Sequence, residues 1–391
     1  MNRRRVLMGA AALGMAPWSG CGARAEGYWD VDVAFSGRVI VIGAGAAGLA
    51  AGYLLDRYAA EYTILEAGPR VGGRVQRIEG LVDVPIDLGA EWIHSDPGLL
   101  SRLIDDPSVD GRIDTVRYTP QTLGLSDGDR VDFVHAYYGE HKFKSTTWSE
   151  FLEDWILPAS RNRIRLNTVV TAIDWSGGTV RVTLADGSVE VADRVIVTVP
   201  IGVLQRGSIA FTPALPDWKQ AAIDTVEFTG GLKVFLRMGE RFYPDVTVMS
   251  PLADPGSTDH LAIDGLYGKG LDQHLLTLFC VGPQAEAYVD LEDDAILELL
   301  VERLDRTYDG AASRHLVEGV VQNWSREPHI GGAYSYGWGD DYDGVLAALA
   351  APVENQLFWA GSGTSAAFPA MVHGAMFSAY DAVRTLLESP G

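Results

Sequence analysis

Gly43, Gly45 and Gly48 stand in the string VIVIGAGAAGLAAGYLL, and the acidic residue Glu66 follows about twenty positions later. That spacing suits the capture of a dinucleotide. Gly43 would permit a tight turn, Gly45 would leave room for a pyrophosphate against the backbone, and Gly48 would let a helix lie close to a strand. Glu66 would take the hydroxyls of an adenosine ribose. Glycine turns also serve plain packing, so the reading depends on the elements around them. Residues 39–42 are β-formers and read as a buried strand, residues 46–55 have the composition of a helix, and residues 62–65 form a second strand ending at Glu66. The glycines therefore fall at a strand-to-helix turn in a βαβ-like unit, where the free N–H groups of the helix N-terminus favour phosphate. Directly after Glu66, the string EAGPRVGGRV adds a second glycine pair and Arg74, a cation for the pyrophosphate or, in the plainer reading, part of a basic surface loop. FAD and NAD both meet this description.

A chain of 391 residues, 47% of them hydrophobic, can bury a substantial core and suits two interwoven domains better than one. No stretch is long and apolar enough to span a bilayer. The formal net charge of −21 opposes nucleic-acid binding and attracts cationic ligands, unless the acidic surface serves solubility alone. At the N-terminus, Arg3 to Arg5 precede an apolar segment and then the small residues Ser19, Gly20 and Cys21, which predicts an export signal over residues 1–25. The arginine pair fits the twin-arginine route, which carries folded proteins. Cys21 offers a lipid anchor and Ala23-Arg24-Ala25 an ordinary cleavage site, so the expected location is periplasmic or membrane-anchored. The other cysteine, Cys280, lies in the apolar run LLTLFCVG and reads as a buried thiol, so no intramolecular disulfide is expected in the mature protein.

Several longer strings together resemble the flavin-containing amine oxidase family, whose members include monoamine oxidases, polyamine oxidases and flavin-type histone lysine demethylases. They are EAGPRVGGRV (66–75), GAEWIH (89–94), GLKVFLRM (231–238), WSREPHIGGAYSYG (324–337) and LFWAGSGTSAAFPAMVHGA (357–375), in family order across residues 38–387. The resemblance implies an α/β fold, with a Rossmann-like FAD-binding domain interleaved with an α+β substrate domain. It divides the chain into residues 38–97, 162–200 and 356–387 for FAD, and residues 98–161 and 201–353 for the substrate. FAD is the implied cofactor, and a small amine and oxygen are the implied partners.

The resemblance also implies site residues. Strict alternation along 231–238 would turn Lys233, Phe235 and Arg237 away from the apolar face and so place Lys233 in solvent. The family match implies instead a lysine that holds a water against flavin N5. Tyr334 falls on one of two aromatic cage positions, which would bind an amine by its apolar stem. The other position holds Met371, a departure from many relatives. His94 is similar to a substrate-side histidine of polyamine oxidases, with a structural histidine equally open, and completes the expected catalytic set. Cofactor contacts are implied at Gly89 and Ala90, at Val170 beside the adenine, and at Trp324 beside the flavin ring. In the last motif, Gly361, Ser362, Met371 and Val372 would present backbone N–H groups to the ribityl chain and the pyrimidine edge. Relatives usually carry glutamate where Ser362 stands. They also carry a longer insertion where this chain has only residues 124–148.

The expected reaction is oxidation of an amine, favoured as a polyamine by the acidic charge and His94, with hydride transfer to flavin N5, an imine or aldehyde product and hydrogen peroxide. A flavoprotein acting on a non-amine substrate and a catalytically idle FAD carrier are the alternatives. GLSDG (124–128) satisfies the G-x-S-x-G hydrolase pattern, but its polar flanks read as a turn. Asp340, Asp341 and Asp343 lack spaced partners, so no metal site is expected.

Overall fold

The computed structural model describes residues 29–126, 131–135, 140–249 and 260–390. The expected export signal, with Cys21, lies outside the described residues. A five-stranded sheet runs in the order Ile164–Arg165, Glu61–Leu65, Arg38–Ile42, Arg194–Val197 and Leu357–Trp359, every pair parallel. Its centre is apolar on both faces because both are covered. Val39 and Val41 face the helices Ala46–Arg57 and Val372–Glu388, while Ile40 and Ile42 face a four-stranded sheet that includes Val170–Asp174 and Val180–Leu184. The five strands come from three stretches of chain far apart in sequence. This is the Rossmann-like half of an α/β fold.

The other half is a seven-stranded sheet in the order Leu316–Asn323, Gly231–Met238, His274–Val281, His260–Asp264, Val246–Val248, Thr122–Ser126 and Val131–His135. On one face Leu232, Val234 and Leu236 pack with Leu276 and Leu278 against Ile296, Leu300 and Leu304 of the helix Asp293–Thr307. The opposite face is closed as well, since Phe235 packs with Trp324, Leu81 and Leu88. Both faces of Gly231–Met238 are therefore inside the protein, and alternation there does not separate core from solvent. In sequence, Thr225 to Met238 reads as one strand, but the structure breaks it. The helix Asp217–Thr225 and the short strand Glu227–Thr229 precede it, and Gly231 begins the next strand.

Residues 98–161 divide between the halves. Leu99, Leu103, Trp148 and Phe151 share the core of Val39 and the helix Ala46–Arg57, whereas Thr122–Ser126 joins the seven-stranded sheet. Gly124, Leu125 and Ser126 of the GLSDG string end a strand, and its last two residues lie outside the described ones. It leads to a second strand, Val131–His135, paired antiparallel to it, instead of the helix that a hydrolase elbow requires. Between the halves lies a three-stranded sheet in which Glu140–Phe143 pairs with Trp92–Ile93 on one side and Thr115–Tyr118 on the other.

Candidate active site

The glycine turn has the three distinct environments that its spacing anticipates. Gly43 has φ of +103°, a left-handed conformation that favours glycine. A Cβ on Gly48 would lie 1.8 Å from the Gly43 carbonyl oxygen, so helix and strand touch there. A Cβ on Gly45 would meet nothing within 4 Å, and Gly45 caps the helix without a side-chain hydrogen bond. Open space therefore faces free helical N–H groups. Glu66 closes the turn: Oε2 accepts from the Ala44 N–H at 2.6 Å and Oε1 from the Gly68 N–H at 2.8 Å. The Thr168 N–H donates to the Glu66 carbonyl at 2.8 Å, which sets the strand beginning at Val170 beside it, with Val170 itself buried.

Arg74 ties this turn to the rest of the chain. The Gly72 N–H donates to the Ala44 carbonyl at 2.8 Å, which anchors the arginine loop on the glycine turn. From there the Arg74 guanidinium reaches the Ala333 carbonyl at 2.5 Å and Ser362 Oγ at 3.4 Å. Desolvation lowers its pKa to about 10, which leaves it charged at neutral pH. Gly89 packs against the same loop: a Cβ there would lie 1.8 Å from the Arg74 carbonyl oxygen and 3.0 Å from the Trp324 ring, and the Ala90 N–H donates to that carbonyl at 3.4 Å. At the C-terminal motif the Gly361 N–H donates to Ser378 Oγ at 2.9 Å and the Ala370 N–H to the Ser362 carbonyl at 2.8 Å. Met371 then caps the helix that begins at Val372, again without a side-chain hydrogen bond. Two uncapped helix N-termini, a charged arginine between their motifs, and a cradle in front of Gly45 suit the diphosphate and flavin ends of FAD.

Lys233 is 4% exposed, and its Nζ donates to Glu91 Oε2 at 2.7 Å. Lys142, on the strand Glu140–Phe143, makes an ion pair with the other oxygen, Oε1. Burial alone would raise the Glu91 pKa, but Lys142 and Lys233 together hold it at about 2. Asp87, also buried, is pushed well above the usual carboxylate range, first by burial and then by the charge of Glu91; its Oδ1 accepts from the Trp148 N–H at 3.1 Å. Two ammonium groups thus share one fully ionised carboxylate.

Next to Lys233 in register stands Phe279, whose ring lies parallel to that of Tyr334 with centroids 6.4 Å apart and planes 9° from parallel. His94 Nδ1 is 3.3 Å from Glu140 Oε1, so Glu140–Phe143 supplies a charged partner to both His94 and Glu91. His373, the second residue of the C-terminal helix, is fully buried against Phe368 with its pKa lowered to about 3 by burial and by His94. The structure therefore brings Lys233, Glu91, Tyr334 and Phe279 together, with His94 in the same GAEWIH string as Glu91. Glu91, Lys142, Glu140 and Phe279 were not anticipated. Glu91 lies inside the GAEWIH string and could have been found there; Lys142 carries no local signal, because its partner is distant in sequence. No group of described residues could hold a metal ion.

The model of the family "Flavin containing amine oxidoreductase" matches residues 151–387, and that of an NAD(P)-binding Rossmann-like domain matches residues 41–106. Polyamine oxidase 2 of Arabidopsis thaliana is 26% identical over 91% of this chain and 90% of its own length. Lysine-specific histone demethylase 1B of Mus musculus is 25% identical over 87% of this chain, which spans only 52% of the demethylase. Among solved structures, a triple mutant of putrescine oxidase redesigned for cofactor binding superposes with a TM-score of 0.73 at 15% identity, covering 89% of this chain and 98% of that one.

Proposed function

The chain belongs to the flavin containing amine oxidoreductase family and uses FAD, and we propose that it oxidises a small amine, in the first instance a di- or polyamine, with oxygen as the acceptor. The observation that carries the proposal is the buried Lys233–Glu91 pair beside the Phe279 and Tyr334 rings. FAD supplies the two-electron acceptor. The chain supplies everything that places an amine before it. Tyr334 and Phe279 would bind the apolar stem of the substrate, and Lys233 would hold a water at the flavin.

In this reading the neutral amine loses a hydride from its α-carbon and becomes an iminium, which water hydrolyses to an aldehyde and the released amine. Oxygen takes the two electrons and two protons and leaves as hydrogen peroxide. An excess of ammonium over carboxylate at Lys233, Glu91 and Lys142 opposes a protonated nitrogen nearby, so the reacting nitrogen would bind neutral. A diamine or polyamine could keep a second nitrogen charged farther out, where the net charge of −21 favours it. The names of the plant polyamine oxidase and of the putrescine oxidase neighbour support the same substrate class.

The test is anaerobic mixing of purified holoprotein with putrescine, spermidine, spermine, a monoamine and a methylated lysine peptide, following flavin absorbance. Bleaching by the polyamines, with peroxide formed on admitting air, is expected. A protein that stays yellow with every amine would sink the proposal.

A further inference from the structure

We propose that Glu91 is the positioning residue for Lys233, and that Lys142, from the strand that replaces the usual long insertion, sets the charge balance of that pair. The inference deepens the amine-oxidase reading of Lys233 and rests on it. Its ground is the arrangement of three side chains. Glu91 is 9% exposed and gives one oxygen to each lysine, Oε2 to Lys233 at 2.7 Å and Oε1 to Lys142. A flexible lysine stem is thereby fixed at its charged end. One carboxylate cannot neutralise two ammonium groups. The surplus charge is accommodated by aromatic faces, with Lys142 Nζ 4.7 Å from the centroid of Trp92 and 5.5 Å from that of Tyr118. Register places Lys142 there, since it pairs with Trp92 on one side and Val116 on the other.

The other charged groups around the triad are already committed. Asp87 stands beside Glu91 with a carboxyl that burial and Glu91 keep protonated well above the usual range. Lys269 donates to the carbonyls of Phe143 and Lys144 at 2.7 and 3.1 Å. Glu150 accepts from the Thr146 and Thr147 hydroxyls at 3.0 and 3.1 Å, and Asp264 pairs with Arg241 at 3.0 Å. Lys233 is thus governed chiefly by one attractive and one repulsive neighbour, both inside the protein where screening is weak.

Two variants that keep side-chain shape should therefore act in opposite directions. Glu91→Gln removes the attractive charge and leaves two cations facing each other, which disfavours the ammonium of Lys233. Lys142→Met removes the repulsive charge and leaves Lys233 sole possession of Glu91, which favours it. The experiment is a pH titration of flavin absorbance in the resting holoenzyme, together with pH profiles of kcat and KM. The limb that disappears in Lys233→Met reports the lysine. That limb should move to lower pH in Glu91→Gln and to higher pH in Lys142→Met, each by about 1 to 3 pH units. Glu91→Asp and Lys142→Arg, which preserve charge, should restore most of the parental position. Displacement of both in one direction, or of neither, overturns the triad while leaving Lys233 in its role. If Lys233→Met changes neither the flavin titration nor turnover, the reading beneath falls and the triad with it.

Discussion

Arg74 donates to the carbonyl of Ala333 across 259 residues of sequence, at 2.5 Å, and so joins the phosphate-side loop to the residue before Tyr334. In the proposed reading, cofactor binding and the aromatic wall of the site share one guanidinium. Arg74→Ala removes the guanidinium that this loop extends toward Ser362 and releases the Ala333 carbonyl. Charge-assisted hydrogen bonds contribute about 1.5–3 kcal/mol, so FAD should bind about 10- to 100-fold more weakly in a fluorescence titration of the apoprotein. With FAD in excess, KM should remain raised, because the loss at Ala333 persists. Recovery of the parental KM at saturating FAD would show the two functions to be independent.

Gly45 borders open space and Gly48 packed space. Alanine at Gly48 would drive its Cβ into the Gly43 carbonyl oxygen, which lies 1.8 Å from that position, so Gly48→Ala should lower the melting temperature of the apoprotein. Alanine at Gly45 meets no protein atom within 4 Å and occupies an extended backbone that any residue adopts. Gly45→Ala should therefore fold as the parent does and lose FAD. Equal apoprotein stability in both variants would refute the assignment.

That contrast also shows why this part of the fold was legible in sequence. Gly43, Gly45 and Gly48 lie close along the chain, and the tight turn, open space and close packing at them follow from local spacing, whereas the Glu66 bonds to the Ala44 and Gly68 N–H groups are not part of that pattern. Lys233 is the opposite case. Alternation alone points it to solvent, but Gly231–Met238 is an interior strand of a seven-stranded sheet covered on both faces, so period two carries no exposure information. Its partner Glu91 is 142 residues away. Lys142 belongs to a stretch that reads as polar and unremarkable, and only the register of Glu140–Phe143 against Trp92–Ile93 turns it inward. The strand at Thr122–Ser126 was hidden for a similar reason: its pairing with Val246–Val248 comes from far along the chain.

Asp87 gives the pH dependence of stability a defined sign. Its folded pKa is raised by burial and by Glu91, so the folded protein binds a proton more tightly than the unfolded chain does. Stability should fall as pH rises from the ordinary carboxylate range through the raised folded value. Asp87→Asn keeps an acceptor for the Trp148 N–H and has no proton to lose. Its melting temperature should exceed that of the parent at neutral pH, and the difference should shrink toward pH 4. A constant difference across pH would rule out Asp87 as the titrating group.

Lys219 tests a purely structural buried amine, whose pKa burial lowers to about 7. It is fully buried, and its Nζ donates to the carbonyls of Ala348, Leu349 and Ala351 at 2.6, 2.9 and 2.7 Å, at the end of the helix Tyr342–Ala350. Positive charge belongs at a helix C-terminus. Lys219→Met fills the same space but leaves those carbonyls without their donor, at a cost of roughly 3 kcal/mol. Thermal denaturation should shift down by several degrees, while turnover per bound FAD stays parental. A loss of turnover at full occupancy would place Lys219 in the chemistry instead.

Phe279 should prove the second wall that Met371 does not supply. It lies opposite Lys233 in the antiparallel pair Gly231–Met238 with His274–Val281, on the same face, and its ring is parallel to that of Tyr334. An amine stem held by both rings loses apolar contact when either is cut back, and burial is worth about 25 cal/mol per Å2 of area removed from water. Removing one aromatic face should therefore raise KM about 5- to 50-fold for a long apolar amine. Phe279→Ala should show this rise with kcat changed much less, because Lys233 and Glu91 remain in place. Tyr334→Phe, which keeps the ring, should bind nearly as the parent does, and Tyr334→Ala should match Phe279→Ala. The double alanine variant should lose less than the product of the two single effects, since the rings serve one stem. Single-turnover flavin reduction across amine concentration separates binding from chemistry for all four variants. A Phe279→Ala protein with parental KM would show that the parallel rings only pack against each other, and the substrate stem would have to lie elsewhere.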